Sequence, residues 1–157
     1  MRKIYLAAGC FWGAQEYLKR IEGVSETVVG YANSHFYNPM YEDVCNGDTN
    51  AVETVEVVYD DNIVSLNALL DYYFKVIDPT SLNRQGNDVG TQYRTGIYFI
   101  DDDDELLIKD YICSIKDNYN DEIVTEVKKL ENFFIAEEYH QNYLTKNSGG
   151  YCHIKLD

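Results

Sequence analysis

The chain has 157 residues, of which 45% are apolar, 14% aromatic and 25% charged, a length and composition suited to one domain with one sizeable core over residues 1–157. Lys and Arg number 13 against 27 Asp and Glu, and the net charge of -14 would repel a phosphate backbone or an anionic membrane, which sets nucleic acid and lipid aside as partners. With 15 Tyr, 6 Phe, 1 Trp and only 2 Pro, the sequence buries too much surface to be a disordered acidic chain.

Residues 4–8, which precede Gly9, are too short for a signal-peptide core, and no apolar run reaches the roughly 18 residues of a membrane span; a cytoplasmic location is expected. Residues 4–8 read instead as a short buried strand. Ala14, Tyr17, Leu18 and Ile21 follow at helical spacing, so the strand enters a helix through Gly9 and Cys10, and the helix ends near Gly23. Residues 24–31 and 52–59 are strand-like, separated by an irregular stretch, 32–50, rich in Asn, Tyr and Gly.

Ser65 is placed to cap a helix running to Ile77, whose stripe is Leu66, Leu69, Leu70, Tyr73, Phe74 and Ile77; Asp78-Pro79 stops it. The polar connection 78–90 is long enough to suggest a functional loop. Residues 91–100 form the next strand. The acidic run 101–105 reads as the cap and solvated face of a helix carrying Leu107, Ile108, Tyr111, Ile112 and Ile115. A strand at 123–127, a short helix at 136–144 and a flexible polar tail at 145–157 complete the pass. Helices interleave with amphipathic strands, which favours an α+β sheet over a doubly wound parallel one.

The cysteines, Cys10, Cys45, Cys113 and Cys152, show neither a CxxC pair nor zinc-finger spacing, so a reactive thiol is the better reading than a disulfide ladder. Cys10 lies where strand meets helix, beside unpaired amides that favour thiolate, and Gly9 and Gly13 leave it uncovered. Trp12 is not needed by the helix's apolar stripe; it either walls a pocket suited to a methyl or thioether group or packs in the core. Glu53 shares a strand face with Val55, Val57 and Tyr59. Its carboxyl is therefore either buried, with a raised pKa suited to a general acid, or wetted at the strand's end. Asp88 sits in a turn-like run, Tyr41 and Tyr93 are two phenols among many, and Cys152 follows Gly149-Gly150 in the tail. Cys45 and Cys113 carry no assigned role, and His35, His140 and His153 read as scattered surface residues.

The run Gly9-Cys10-Phe11-Trp12-Gly13 resembles the signature of the A-type peptide methionine sulfoxide reductases, and the resemblance extends from about Leu6 to Cys152. It includes Gly30-Tyr31, the run from Asn38 to Cys45, Gly47-Asp48-Thr49, Glu53, Asp78-Pro79-Thr80, Arg84 to Asp88, Gly90 to Arg94, and Ala136-Glu137 with Tyr139-His140-Gln141. The resemblance implies a two-layer α/β sandwich around a ferredoxin-like plait, with a mixed sheet and long coil segments. It implies that Cys10 attacks the sulfoxide sulfur and that Glu53, with Tyr41 and Tyr93, protonates the oxygen. Phe11 and Trp12 would wall the methyl group, and Asp88 would help to bind substrate. Cys152 would convert the Cys10 sulfenic acid to a disulfide in a single relay step, and thioredoxin would reduce it. The implied substrate is the S epimer of methionine sulfoxide, free or in proteins, acted on by a monomer with no metal or organic cofactor. Asn50-Ala51-Val52 and Val89 depart from the common pattern without touching these roles.

Two other readings stand beside it. Cys10, His140 and Asn142 have a spacing like that of papain-type hydrolases, although the local motif is wrong and the chain short. A redox sensor would need only the thiol pair, and Glu53, Tyr41 and Tyr93 would then be superfluous.

Overall fold

A computed structural model describes residues 1–47, 49–147, 149–150 and 154. Of the tail expected at 145–157, residues 145–147, 149, 150 and 154 are described, the first two of them helical; Cys152 lies outside the described residues. Strands β1 (Arg2–Ala8), β2 (Val24–Ala32), β3 (Val52–Tyr59) and β6 (Thr95–Phe99), with helices α1 (Phe11–Leu18) and α3 (Leu66–Phe74), give the sequence β-α-β-β-α-β. They lie side by side as β6-β1-β3-β2, every pair antiparallel, which is the split β-α-β arrangement of a ferredoxin-like plait. β7 (Glu126–Lys129) adds parallel to β6 at one edge and β8 (Phe133–Ile135) antiparallel to β2 at the other, making the sheet mixed. The expected α+β fold is observed. A larger core between the helices and one sheet face contains Ile4, Leu6, Val29, Val55, Val57, Leu69, Leu70, Ile97 and Ile108. The other face is closed by a smaller cluster of Tyr5, Ala7, Ala32, Val52 and Tyr98, with Leu130 and Phe133 laid against it.

Several local expectations hold for their stated reasons. Ser65 accepts from the Ala68 amide at 3.1 Å and caps α3. Tyr73, on the α3 stripe, donates from its hydroxyl to the Ala7 carbonyl at 2.6 Å, pinning the helix to β1.

Others change. Residues 91–93 form a 3-10 turn, and only from Thr95 does the chain enter β6. The strand expected at 123–127 is shifted to 126–129, and the irregular stretch 32–50 contains the five-residue helix α2 (Tyr41–Cys45). The 78–90 connection carries a small hairpin, β4 (Arg84–Gln85) with β5 (Asp88–Val89). In place of one helix at 136–144 there is a 3-10 turn, Glu138–His140, and then α5 (Tyr143–Lys146). Periodicity misreads this segment because Gln141 bonds back to β2. Its side chain accepts from the Val29 amide at 3.0 Å and donates to the Val29 carbonyl at 2.8 Å. The acidic run before α4 (Asp103–Ile115) is not wholly solvated either, since Asp104 is buried against Arg2, whose guanidinium reaches Asp101 at 3.1 Å and Asp104 at 3.0 Å.

No helix among the described residues is long and apolar enough to cross a membrane. Gly30 is fixed by close approach: a Cβ there would lie 2.5 Å from both the Phe133 ring and the Phe134 carbonyl oxygen. Gly30→Ala is expected to loosen β8 from β2 and lower stability by about 1–3 kcal/mol, the usual cost of overpacking. Urea unfolding is the check; an unchanged midpoint would mean that β8 yields freely.

Candidate active site

One row of residues crosses the sheet and frames the site. Tyr31 on β2 pairs with Glu53 on β3, and Leu6 pairs with Val55. Carried two residues on, that second register sets Glu53 across from Ala8, just before Gly9 and Cys10. Glu53 lies on the same sheet face as Val55, Val57 and Tyr59, as its parity in the strand requires. It is 1% exposed, so of the two readings of this carboxyl the buried one is correct.

Cys10 is the N-cap residue of α1 and is itself buried. The amides of Trp12 and Gly13 donate toward its sulfur and favour thiolate, but burial and then the nearby Glu53 carboxylate outweigh them, with Asp88 adding to the upward push. The thiol pKa is therefore raised well above its ordinary value. This corrects the expectation from helix position alone, which omits burial and a neighbouring anion. The next amide in line, that of Phe11, donates to Glu53 Oε1 at 3.2 Å. Glu53 Oε2 has no hydrogen-bond partner among the described residues. Burial pushes the Glu53 pKa up to about 8, against the smaller downward pull of the Phe11 amide, and Asp88 adds a further rise. At neutral pH the group is thus largely a carboxylic acid, with an unmatched oxygen in an enclosed place.

Tyr41, at the start of α2, and Tyr93, at the end of the 3-10 turn, are both half-buried. Burial holds their phenols protonated; beyond that, Tyr41 is raised by its bond to the Cys45 thiol and by Tyr93 and Glu53, and Tyr93 by Glu53, Cys10 and Asp88. Those mutual influences bring Cys10, Glu53, Asp88, Tyr41 and Tyr93 into one site. The hairpin β4–β5 carries Asp88, whose charge acts on both Cys10 and Glu53.

Phe11 packs against Tyr31, with ring centroids 5.7 Å apart, and belongs to the main core. Trp12 is only half-buried and stacks on Tyr143 at 3.8 Å with planes 10° apart.

His140 is a correction: far from being on the surface, it is 1% exposed, among the rings of Phe11, Trp12, Tyr41 and Tyr139. Trp12 Nε1 donates to its Nδ1 at 2.9 Å. An indole nitrogen only donates, so Nδ1 is unprotonated and the neutral ring carries its proton on Nε2. Burial lowers the His140 pKa, against an upward pull from Glu137. Glu137 also escaped the sequence reading. It bridges the site by accepting from the Tyr31 hydroxyl at 2.9 Å and the Tyr41 amide at 3.1 Å. The signal was the run from Glu137 to Gln141, dense in polar and aromatic groups, but its role depends on a fold-back that periodicity does not express. His140 Nδ1 is engaged by Trp12, so the spacing that resembled a hydrolase dyad is used to hold an aromatic wall. Cys45 and Cys113 are exposed and form no disulfide among the described residues, and Cys45 bonds to Tyr41 at the rim.

Two measurements test this geometry. A carboxyl whose pKa rises from 4.5 to about 8 on folding keeps a proton that the unfolded chain releases, so its contribution lowers stability as pH rises across that interval. Glu53→Gln should therefore flatten the pH dependence of unfolding free energy between about 4.5 and 8; slopes equal to those of the unaltered protein would place the carboxyl in water. Trp12 is the single tryptophan, and its emission should shift on acidification below pH 6.5 as His140 takes a proton on Nδ1. In His140→Leu that transition should be absent; its persistence would show that another group reports it.

A family model described as peptide methionine sulfoxide reductase matches residues 2–157. The peptide methionine sulfoxide reductase MsrA of Mycoplasma pneumoniae is 60% identical over all 157 residues, covering 100% of both chains. The crystal structure of Mxr1 from Saccharomyces cerevisiae in reduced form superposes with a TM-score of 0.94 at 35% identity, covering 99% of this chain and 91% of that one. Mxr1 in complex with Trx2 matches in fold with a TM-score of 0.66 at 24% identity, covering 90% and 84%.

Proposed function

The chain belongs to the peptide methionine sulfoxide reductase family, and from that membership we propose that Cys10, Glu53 and Cys152 reduce the S epimer of methionine sulfoxide, free or in proteins, to methionine. The observation that carries the residue roles is the buried Glu53 carboxyl, protonated near neutrality, with one oxygen held by the Phe11 amide and the other unmatched beside Cys10.

The sulfoxide oxygen takes the position facing Glu53 Oε2 and the phenols of Tyr41 and Tyr93, with its methyl group against Phe11 and Trp12. Proton donation to that oxygen makes sulfur electrophilic and supplies the leaving hydroxyl's proton. A protonated Glu53 also withdraws the negative charge that opposes ionisation of Cys10, so the Trp12 and Gly13 amides can support the thiolate as it attacks. Attack forms a bond from Cys10 to the substrate sulfur as the protonated oxygen departs as hydroxide; hydroxide then attacks the Cys10 sulfur and breaks that bond, so methionine leaves reduced and Cys10 becomes a sulfenic acid. The Cys152 thiol condenses with it, releasing water and forming the Cys10–Cys152 disulfide, and a thioredoxin dithiol returns both to thiols. The yeast relative solved with Trx2 supports that choice of reductant. The work is repair of oxidised protein in a reducing cytoplasm.

Methionine release from each sulfoxide epimer, with thioredoxin or a small dithiol, is the direct assay. Cys10→Ser should abolish it, and Glu53→Gln should lower it by a factor on the order of 10² at neutral pH. Cys152→Ser should stop after about one equivalent of methionine when thioredoxin is the only reductant. Sustained thioredoxin-linked turnover by that last variant would overturn the relay, and Cys10-dependent hydrolysis of an ester without reductant would overturn the function.

A further inference from the structure

The framing row of the site does not end at Glu53 and Tyr31. Tyr31 pairs in turn with Phe134 on the edge strand β8, so Phe134 stands on the same sheet face as the acid, two strand spacings or about 10 Å from it. Phe133 points the other way, into the small cluster with Tyr5. On Phe134 rests the ring of Tyr37, edge-on at 5.4 Å, and Tyr37 is 89% exposed. Met40, next to the site residue Tyr41, is 54% exposed, and Tyr139, packed on His140, is 58% exposed. The half-buried Glu137 bridges Tyr31 and Tyr41 beside them. Tyr31, Phe134 and Tyr37 therefore mark a path of aromatic side chains from Glu53 to the edge of the sheet, with Met40 and Tyr139 exposed beside Tyr41 and His140. Its charged neighbours are mostly acidic: Glu42 and Asp43 in the first turn of α2, and Glu138, whose only ion-pair partner among the described residues is Lys146 at 3.7 Å.

We propose that this path, with Tyr37 as its outer anchor, is a docking surface for the polypeptide that flanks the oxidised methionine, selecting segments with an apolar or basic residue three to five places from the sulfoxide. The inference rests on the reading of the site as a methionine sulfoxide reductase and adds what lies beyond the sulfoxide itself. The occupant is set by distance and charge. An extended chain advances about 3.3 Å per residue, so the third residue from the sulfoxide reaches Phe134 and the fourth or fifth reaches Tyr37. A solvent-facing aromatic ring offers both apolar contact area and a face that attracts cations. The acidic rim on a chain of net charge -14 repels a segment rich in Asp or Glu. Contacts made so far from the reacting sulfur hold the substrate equally in ground and transition states, so they act on KM and leave kcat alone.

The test compares three substrates of the intact protein: N-acetyl-methionine sulfoxide methylamide, a nonapeptide with central methionine sulfoxide and Leu and Lys at its fourth flanking places, and the same peptide with Asp at those places. The Leu/Lys peptide should show a kcat/KM about tenfold above the methylamide, through KM, with the Asp peptide below the Leu/Lys one and the gap between them narrowing as salt is raised. Tyr37→Ser should raise KM for the Leu/Lys peptide roughly fivefold or more and leave the methylamide unaffected. Leu106→Ser, at another exposed apolar residue, on α4, should change neither. Equal kcat/KM for all three substrates, or a Tyr37→Ser loss shared by peptide and methylamide, would overturn the docking surface while leaving the reductase reading intact. Absence of methylamide turnover by the unaltered protein would overturn both.

Discussion

The hydrogen bond from the Phe11 amide to Glu53 is the constraint on which the site is built. The first amides of a helix have no partner within it, and a buried carboxyl has none in the surrounding hydrocarbon. Here each satisfies the other. The bond ties the start of α1 to β3 and fixes which carboxyl oxygen remains unmatched. It also makes the distance between Cys10 and Glu53 a property of the backbone, because the amides of three successive residues divide between the two: Phe11 serves Glu53, while Trp12 and Gly13 serve Cys10.

Burial then makes the two ionisations interdependent. Each group alone would be driven toward its neutral form, and the charge of one raises the pKa of the other, so the site rests with thiol and acid both protonated below about pH 8. The phenols of Tyr41 and Tyr93 are held as donors by the same scarcity of water. A pocket that suppresses charge until a polar oxygen arrives suits a reaction in which that oxygen collects a proton. Around it, Phe11 belongs to the core, whereas Trp12 is held from both sides by His140 and Tyr143, on a segment secured to β2 through Gln141.

How much of this the sequence disclosed depends on whether the cause was local. The parity of Glu53 in an alternating strand, the cap at Ser65 and the stripe of α3 from Leu66 to Phe74 are near-neighbour effects and read correctly, although α3 ends at Phe74 and not at Ile77. So did the entry of a strand into a helix at Cys10. The ionisation of that thiol did not, because it is decided by a carboxylate 43 residues away in the chain and by burial, neither of which a helix position reveals. His140 was misplaced for the same reason: five residues of polar and aromatic character look like surface until Gln141 pairs with β2 as though it were a strand residue. The hairpin at 84–89 is too short to leave a period, and its contribution of Asp88 is visible only in three dimensions.

The placement of Glu53 by strand parity carries a further meaning for how the protein tolerates change. Side chains in a strand alternate between faces, so a slip of β3 by one residue would turn Glu53 outward together with Val55, Val57 and Tyr59. The acid cannot be lost in that way without emptying the main core. Errors of register are thus eliminated at the level of folding, before they could yield a well-formed molecule with Glu53 turned out. Any copy that has closed its core has also aligned its acid beside its thiol.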